Sequence, residues 1–312
     1  MIIQRMNMPD LALSANAAAL RGKTPLPELG IIRAAGEDAA SFLQGQLTQD
    51  VVLLKPGQSH LAALCNPKGR MLASFIVVKR ASDEILLICS QDLLASTLRR
   101  LTMFVMRAKA KLSDATSEFS IWGLMGDAVI SEAGAVEGAL VCALAPADGV
   151  SRALWVAPID ASAPSSPLLD STLWHWAEAR SGVAMVTKPV AEAFVPQMLN
   201  YESVGGVSFK KGCYPGQEVV ARSQFRGAIK RRAFVAQVSG AAQAGQEVFH
   251  SADPEQPCGT IALAAAAPDG GTTVIVSLQM AAVEGLDKLA VGAPDGPALT
   301  GWHIPYPLLA DL

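Results

Sequence analysis

Charged and aromatic residues are scarce in this chain of 312 residues. Charged residues make up 17% and aromatic residues 5%, whereas 51% of the residues are hydrophobic. Such a composition is typical of a compact globular protein and argues against a long disordered chain. No apolar run reaches the ~18 residues of a membrane helix, and the first residues lack the continuous apolar core of a signal peptide. We therefore expect a folded cytoplasmic protein with two or three domains.

Cysteine and histidine are too few and too scattered for a disulfide framework or a zinc site. The four histidines are dispersed, and no two of the five cysteines form a C-x-x-C pair. The cysteines are Cys65, Cys89, Cys142, Cys213 and Cys258. Structural zinc sites use closely spaced ligands, so we expect neither a disulfide nor a metal site.

Basic residues are concentrated in one part of a chain whose net charge is −3. Residues 201–232 carry a net charge of +5, which leaves −8 for the remainder. The basic residues of this window are Lys210, Lys211, Arg222, Arg226, Lys230, Arg231 and Arg232. One interpretation is a solvated helix face followed by a charged linker, and the other is a local site for a carboxylate or a phosphate. The overall negative charge argues against broad electrostatic capture of nucleic acid.

Residues 211–218, with the sequence K-G-C-Y-P-G-Q-E, bring a cation, a thiol, a phenol, an amide and a carboxylate together. The apolar spacing after them predicts a helix with Pro215 in its first turn and a stop at Gly227. Cys213 then lies just before a helix N-terminus and beside two lysines, whose positive charges favour the thiolate. A lone cysteine is more often a core residue, and Lys211 alone would be a surface charge. In this setting we predict a reactive Cys213 assisted by Lys211.

The helix that follows carries four further candidates. Gln217 and Glu218 either cap the helix or bind the amide-like edge of a ligand, because a carboxamide and a carboxylate match its donors and acceptors. Arg222 and Arg226 are four residues apart and share a helix face. They are either solvated or bind an anionic ligand tail.

The apolar pattern before residue 182 predicts two α+β units. In the first unit we expect strands at 30–35, 59–65, 71–79, 85–89 and 108–113, and helices at 38–47 and 91–104. The second unit begins near residue 119, with strands at 139–144 and 152–157 and a helix at 170–181. Helices that cross an antiparallel sheet define the α+β class.

Short β runs follow Lys230, Arg231 and Arg232, which we take as a domain junction. They lie at 233–238, 246–249, 258–264, 273–279 and 288–291, and their spacing is typical of a small barrel or sandwich. The predicted domains are residues 1–232, with halves of about 1–115 and 116–232, and residues 233–312.

Several segments together resemble one known family. The run at 211–218 matches the signature K-G-C-Y-x-G-Q-E at every fixed position, and four other segments accompany it: 42–51, 67–71, 194–197 and 304–308. On these residues the chain resembles the YgfZ family of folate-binding proteins over nearly its whole length. The resemblance implies two ferredoxin-like halves around a folate cavity and a C-terminal β-barrel. The T-protein of glycine cleavage, an aminomethyltransferase, shares this architecture.

The resemblance also implies a function and a set of site residues. We expect an accessory protein that binds tetrahydrofolate and supports iron–sulfur cluster assembly or repair and tRNA modification. Its partners would be iron–sulfur enzymes or assembly factors and tRNA-modifying enzymes. Cys213 and Lys211 would carry the chemistry, and the implied folate contacts are Trp174, Gln197, Asn200, Tyr201, Tyr214, Gln217, Glu218, Arg222 and Arg226. For Trp174 the alternative is packing in the core, the commoner fate of a helical tryptophan.

Two other functions stay open. A folate-dependent one-carbon transferase would need carboxylates where T-proteins carry an aspartate pair, but Ala73 and Ser74 occupy those positions. We therefore do not expect a glycine-cleavage aminomethyltransferase. A direct tRNA-binding protein would use the basic window on phosphates, and the net charge of −3 disfavours it.

Overall fold

The protein is seen in a computed structural model that describes residues 19–226, 229–284 and 288–309. Two antiparallel sheets and a closed six-stranded barrel carry the fold. This confirms the predicted α+β class and the C-terminal β-barrel. The predicted helix stop at Gly227 and the N-terminal residues judged for a signal peptide lie outside the described residues. In the described part, no helix is long and apolar enough to cross a membrane.

The first sheet has five strands and lies between two apolar layers. Its spatial order is β3-β4-β5-β2-β6. The strands are β2 (Leu29–Ala35), β3 (Ser59–Cys65), β4 (Met71–Ala81), β5 (Glu84–Ser90) and β6 (Lys111–Asp114). Helices α1 (Ala39–Gln44) and α2 (Gln91–Val105) belong to this unit. Successive residues such as Ile31 and Ile32 enter different apolar clusters, because side chains alternate across a strand.

The second sheet has four strands in the order β1-β7-β9-β8. The strands are β1 (Gly22–Pro25), β7 (Phe119–Met125), β8 (Leu140–Ala147) and β9 (Val150–Pro158). The short helix α3 (Ala128–Ser131) follows β7, and α4 (Ser171–Ser181) follows β9. The Asp170 side chain caps the start of helix α4 by accepting a hydrogen bond from the Thr172 backbone. The helix ends at Gly182, whose backbone is in the left-handed region.

The barrel closes in the order β10-β13-β12-β11-β14-β15. Its strands are β10 (Arg231–Val238), β11 (Glu247–His250), β12 (Asp253–Ala266), β13 (Thr272–Gln279), β14 (Leu289–Val291) and β15 (Ala298–His303). Helix α5 (Gln217–Phe225) precedes the barrel, and the short α6 (Met280–Val283) follows β13. Arg231 and Arg232 are part of the first barrel strand, so the interpretation of this triplet as a solvated linker is wrong for those two residues. The domain limits at residues 115 and 232 stay predictions.

Candidate functional site

The signature loop is fixed to the first unit by a buried lysine. Lys211 is only 7% exposed, and its Nζ donates hydrogen bonds to the carbonyl oxygens of Gln44 at 2.5 Å and Leu47 at 2.7 Å. These carbonyls lie at and just beyond the end of α1, where backbone acceptors lack helical partners. The Nζ atom also lies 4.6 Å from the centre of the Tyr214 ring. Two of the resembling segments, 42–51 and 211–218, therefore meet at one ammonium group.

Two glycines join the same loop to the hairpin turn between β3 and β4. Gly216 has φ = 81°, and a Cβ atom there would lie 2.4 Å from the carbonyl oxygen of Asn66. Gly69 has φ = 72°, and its Cβ atom would lie 2.9 Å from Cβ of Val219. Only glycine allows both the left-handed backbone and so close an approach. The third segment, 67–71, thus packs directly against the signature.

The start of α5 differs from the sequence-based expectation. We expected Pro215 in the first helical turn, but the helix begins at Gln217 and Gly216 occupies the position before it. The left-handed conformation that Gly216 needs for its contact with the hairpin interrupts the helical geometry at this point. Cys213 therefore lies in a loop four residues before the helix.

Cys213 is the one exposed thiol among the five cysteines, all of which the structure describes as free. Burial raises the pKa of Cys65, Cys89 and Cys142 to about 12 in each case. Burial also raises the pKa of Cys258. A thiol that is both buried and protonated is a poor nucleophile, so the geometry leaves Cys213 as the candidate for thiol chemistry.

Burial also changes the lysine of the signature. It lowers the pKa of Lys211 to about 8, although the charge of Asp50 and the Cys213 sulfur act in the opposite direction. Lys211 is thus neither the surface charge considered above nor a freely moving partner of Cys213. It holds the loop in place, and burial makes its ammonium group more acidic than that of an exposed lysine.

The predicted folate contacts at 197–201 lie at a buried junction between the signature helix and the barrel. Gln197 is 1% exposed and its Nε2 donates to the Val220 carbonyl at 2.8 Å, whereas its Oε1 has no partner. Asn200 exchanges two hydrogen bonds with the backbone of Ala233 in β10. Tyr201 is fully buried, and its hydroxyl donates to the Ala184 carbonyl at 2.6 Å.

Trp174 lies apart from this group, in the apolar cluster between the two sheets. It is fully buried and packs on Gly123, where a Cβ atom would lie 2.6 Å from the indole ring. The guanidinium of Arg152 lies 4.5 Å from the centre of the ring. The indole Nε1 and two guanidinium nitrogens of Arg152 have no hydrogen-bond partner. Sequence analysis missed Arg152, and its position within a strand gives no local signal.

The charged residues after the signature lie on the surface. Glu218 and Arg222 form an exposed ion pair at 2.6 Å, and both line a shallow cleft of about 250 Å³ together with Arg226. Helix α5 ends at Phe225, so Arg226 lies just beyond it, although it reaches the same cleft as Arg222. Gln217, at the first helical position, is partly exposed.

Gln224 is a second residue that sequence analysis missed. Its side chain is 1% exposed, and neither its Oε1 nor its Nε2 has a partner. It lies one turn after Val220, so these two residues share a face of α5, and the Val220 backbone carbonyl accepts a hydrogen bond from Gln197. A glutamine that follows Arg222 and Ser223 in a helix resembles a surface residue, so the sequence pattern gives no sign that Gln224 is buried.

Comparison with known proteins defines the class first. The family model described as the GCVT N-terminal domain matches residues 22–133. The crystal structure of glycine cleavage system aminomethyltransferase T from Bartonella henselae aligns over 91% of this chain and 86% of its own, with a TM-score of 0.61 and 15% identity. An identity this low shows the fold alone. The protein has the aminomethyltransferase-like fold.

Sequence relatives then define the family. A "tRNA-modifying protein YgfZ" from Edwardsiella ictaluri (strain 93-146) is 32% identical over 65% of this chain and 67% of its own length. The protein of the same name from Vibrio vulnificus (strain CMCP6) is 30% identical over 72% and 69%. That from Colwellia psychrerythraea (strain 34H / ATCC BAA-681) is 28% identical over 92% and 93%. The chain belongs to the YgfZ family.

Proposed function

We propose that this chain is a folate-binding accessory protein that supports iron–sulfur cluster assembly or repair and, through iron–sulfur enzymes, the modification of tRNA. The observation that carries this proposal is the exposed Cys213 in a loop held by Lys211 and Gly216 against two other family segments. The names of these relatives connect the family with tRNA modification. We expect the protein to act in the cytoplasm, with iron–sulfur enzymes, assembly factors or tRNA-modifying enzymes as partners.

Unpaired buried amide atoms fit the proposed folate. A pterin ring presents adjacent donors and acceptors, and a carboxamide can match both. Gln197 has a free acceptor, and Gln224 has a free donor and a free acceptor, all of them buried. An unpaired buried polar atom costs free energy, and a ligand edge would remove that cost. We propose that Gln197 contributes to folate recognition, with Asn200 and Tyr201 holding its segment in place. The remaining contacts proposed from the family are Trp174, Tyr214, Gln217, Glu218, Arg222 and Arg226.

The proposed role of Cys213 rests on thiol chemistry. An exposed cysteine can be oxidised, can carry sulfur, or can bind a soft metal, and all three reactions use the thiolate. Lys211 keeps the loop in one position, so a partner would meet the sulfur in a defined geometry. Among the described residues, no group of three His, Cys, Asp or Glu side chains could hold a metal ion.

An aminomethyltransferase activity is disfavoured by the residues at the corresponding positions of β4. Ala73 and Ser74 are buried, and Ser74 Oγ accepts a hydrogen bond from the Val186 backbone at 2.8 Å. Neither side chain can act as a carboxylate in acid–base or electrostatic assistance. Direct tRNA binding is disfavoured too, because Arg232 of the basic window is buried against Glu202.

Genetic complementation tests the proposed function. A bacterium that lacks its own YgfZ-family protein is supplied with the wild-type chain, Cys213→Ser or Cys258→Ser, the last being a matched control in the barrel. We measure the activity of an iron–sulfur dehydratase and the modified nucleosides of total tRNA by mass spectrometry. The wild type and the control should restore both readouts, and Cys213→Ser should restore neither. Full restoration by Cys213→Ser would contradict the proposal.

A further inference from the structure

A second cleft lies between the hairpin turn, the segment at 193–198 and the barrel. Its volume is about 300 Å³, the lower end of the usual range of about 300–1,000 Å³ for small-molecule sites. Arg70, from the turn after β3, and Arg231, from the start of β10, both line it. Two distant parts of the chain thus bring two guanidinium groups to one half-buried place, and the function proposed above uses neither of them.

Neither guanidinium group is paired with a carboxylate in the described part of the chain. Arg70 Nη1 donates to the Ala193 carbonyl, and in the described ranges neither arginine forms an ion pair. Burial lowers the pKa of Arg231, the sulfur of Cys258 opposes this effect, and the charge of Arg70 adds to it. Two like charges brought together during folding favour a bound anion, and paired forks match the oxygens of a phosphate.

Two neighbouring strands of the barrel add a carboxylate and a hydroxyl to the lining of the cleft. Glu247 of β11 lies directly across from Thr260 of β12, and both residues line the cleft. The Glu247 side chain is exposed, and no ion pair of the described residues includes it. A carboxylate accepts hydrogen bonds from the hydroxyl groups of a ribose, a role that acidic residues have in dinucleotide-binding folds.

Apolar side chains complete the lining. Met198 and Pro257, which are half-buried, line the cleft together with the buried Phe194. Such a wall suits a flat ring, since a planar base is largely apolar on its faces. The cleft therefore offers two guanidinium groups, a carboxylate and an apolar surface within the volume of one small ligand.

We propose that this cleft binds a mononucleotide. Arg70 and Arg231 bind the phosphate with help from the Thr260 hydroxyl, Glu247 accepts from the ribose hydroxyls, and the base packs on the half-buried Met198 and Pro257. Neither Cys213 nor any residue proposed for folate is among the residues that line this cleft.

Calorimetric titration of the full-length protein with adenosine monophosphate at fixed ionic strength tests the site. We expect saturable binding with a dissociation constant below about 1 mM and at least a tenfold loss in Arg231→Gln, about 1.4 kcal/mol. Arg99→Gln, which removes an exposed arginine from α2, is the matched control and should bind like the wild type. Thr260→Val keeps the side-chain shape and should weaken binding by a smaller factor, so the test does not depend on Arg231 alone.

The ribose contact has its own test. Glu247→Gln should weaken adenosine monophosphate binding and leave the binding of its 2′,3′-dideoxy analogue unchanged. Three results would overturn the proposal: no saturable binding of adenosine monophosphate, equal affinity in Arg231→Gln, Thr260→Val and the wild type, or inorganic phosphate that binds as tightly as the nucleotide. Arg231→Gln should bind tetrahydrofolate as tightly as the wild type does, which distinguishes a loss of nucleotide binding from a loss of folate binding.

Discussion

Cys213 differs from the other four cysteines in one physical respect, which is contact with solvent. It is exposed, while the others are buried in sheets or the barrel and have raised pKa values. We predict that Cys213 reacts with iodoacetamide faster than any other cysteine at neutral pH. Mass spectrometry of the modified peptides, sampled over time in the folded protein, measures the five rates.

The unfolded protein provides the control for this prediction. In denaturant all five thiols meet the same solvent, so the five rates should approach one another. A rate at Cys65, Cys89, Cys142 or Cys258 that exceeds that of Cys213 in the folded protein would refute the assignment of Cys213 as the reactive thiol.

The buried Lys211 should make the free energy of unfolding depend on pH. Burial lowers its pKa from the ordinary 10.5 to about 8, so between these values the unfolded chain binds more protons than the folded one. The free energy of unfolding should therefore rise as the pH increases from about 8 to about 10.5. Below pH 8 the lysine is charged in both states, and the cost of burying its charge lowers the stability in full. We predict that this rise is absent in Lys211→Met.

Urea unfolding of both proteins at several pH values from 7 to about 10.5 measures the effect. The variant also loses two hydrogen bonds to carbonyl oxygens, which lowers its stability at every pH but does not change the slope. Parallel curves for the wild type and Lys211→Met would contradict the burial of a charged lysine.

At the scale of elements, the contact between the signature loop and the β3–β4 turn depends on glycine. We predict that Gly216→Ala destabilises the protein by more than the ~1–2 kcal/mol that an L residue pays in the left-handed region, because its Cβ atom would meet the Asn66 carbonyl at 2.4 Å. Gly205→Ala is the matched control: its φ is 77°, but nothing lies within 4 Å of the added atom. Chemical unfolding compares the two variants.

Equal losses in both variants would mean that only the backbone angle matters at Gly216. A larger loss in Gly216→Ala, accompanied by altered alkylation of Cys213, would support close packing of the loop on the turn. The two readouts separate global stability from the local position of the thiol.

Sequence patterns predicted the elements in which apolar residues form a continuous run or recur at helical spacing. Strand β3 matches its predicted limits of 59–65, and α2 extends one residue beyond the predicted 91–104. Strand β12 was predicted only from residue 258, because its first residues, Asp253–Pro257 in the structure, are polar or proline. Strand β15 was missed, since most of its residues are exposed or half-buried and its pairing with β10 and β14 is a long-range effect.

The sequence predicted only those parts of the candidate site whose residues are neighbours along the chain. The motif pointed to Cys213 because charge, thiol and helix start adjoin in sequence. It could not reveal that Lys211 is buried, because the carbonyl oxygens that bind it lie more than 160 positions away. The unpaired amide of Gln224 is equally invisible in sequence, since only the fold places it inside.

At the scale of the whole molecule, Arg232 connects the barrel to the rest. Its guanidinium pairs with Glu202, and both side chains are buried, beside the hydrogen bonds that join Asn200 to Ala233. Removing one member of a buried pair leaves an uncompensated charge, which costs about 3–5 kcal/mol. We predict a loss of this size for Arg232→Ala in urea unfolding.

The neighbouring Lys230 provides the comparison. It is exposed, so Lys230→Ala should change the free energy of unfolding by less than about 0.5 kcal/mol. If the two variants are equally stable, the Arg232–Glu202 pair does not stabilise the connection between the barrel and the rest of the protein.

Calorimetric titration with triglutamyl tetrahydrofolate measures whether the protein binds reduced folate, on which the proposed function depends. We predict saturable binding to the wild type and to Lys230→Ala. In Arg222→Ala we predict a loss toward the lower end of about 1–3 kcal/mol, because this arginine is exposed and solvent weakens its contact with the glutamate tail. Undetectable binding to the wild type at millimolar ligand would contradict the proposal that the protein binds reduced folate.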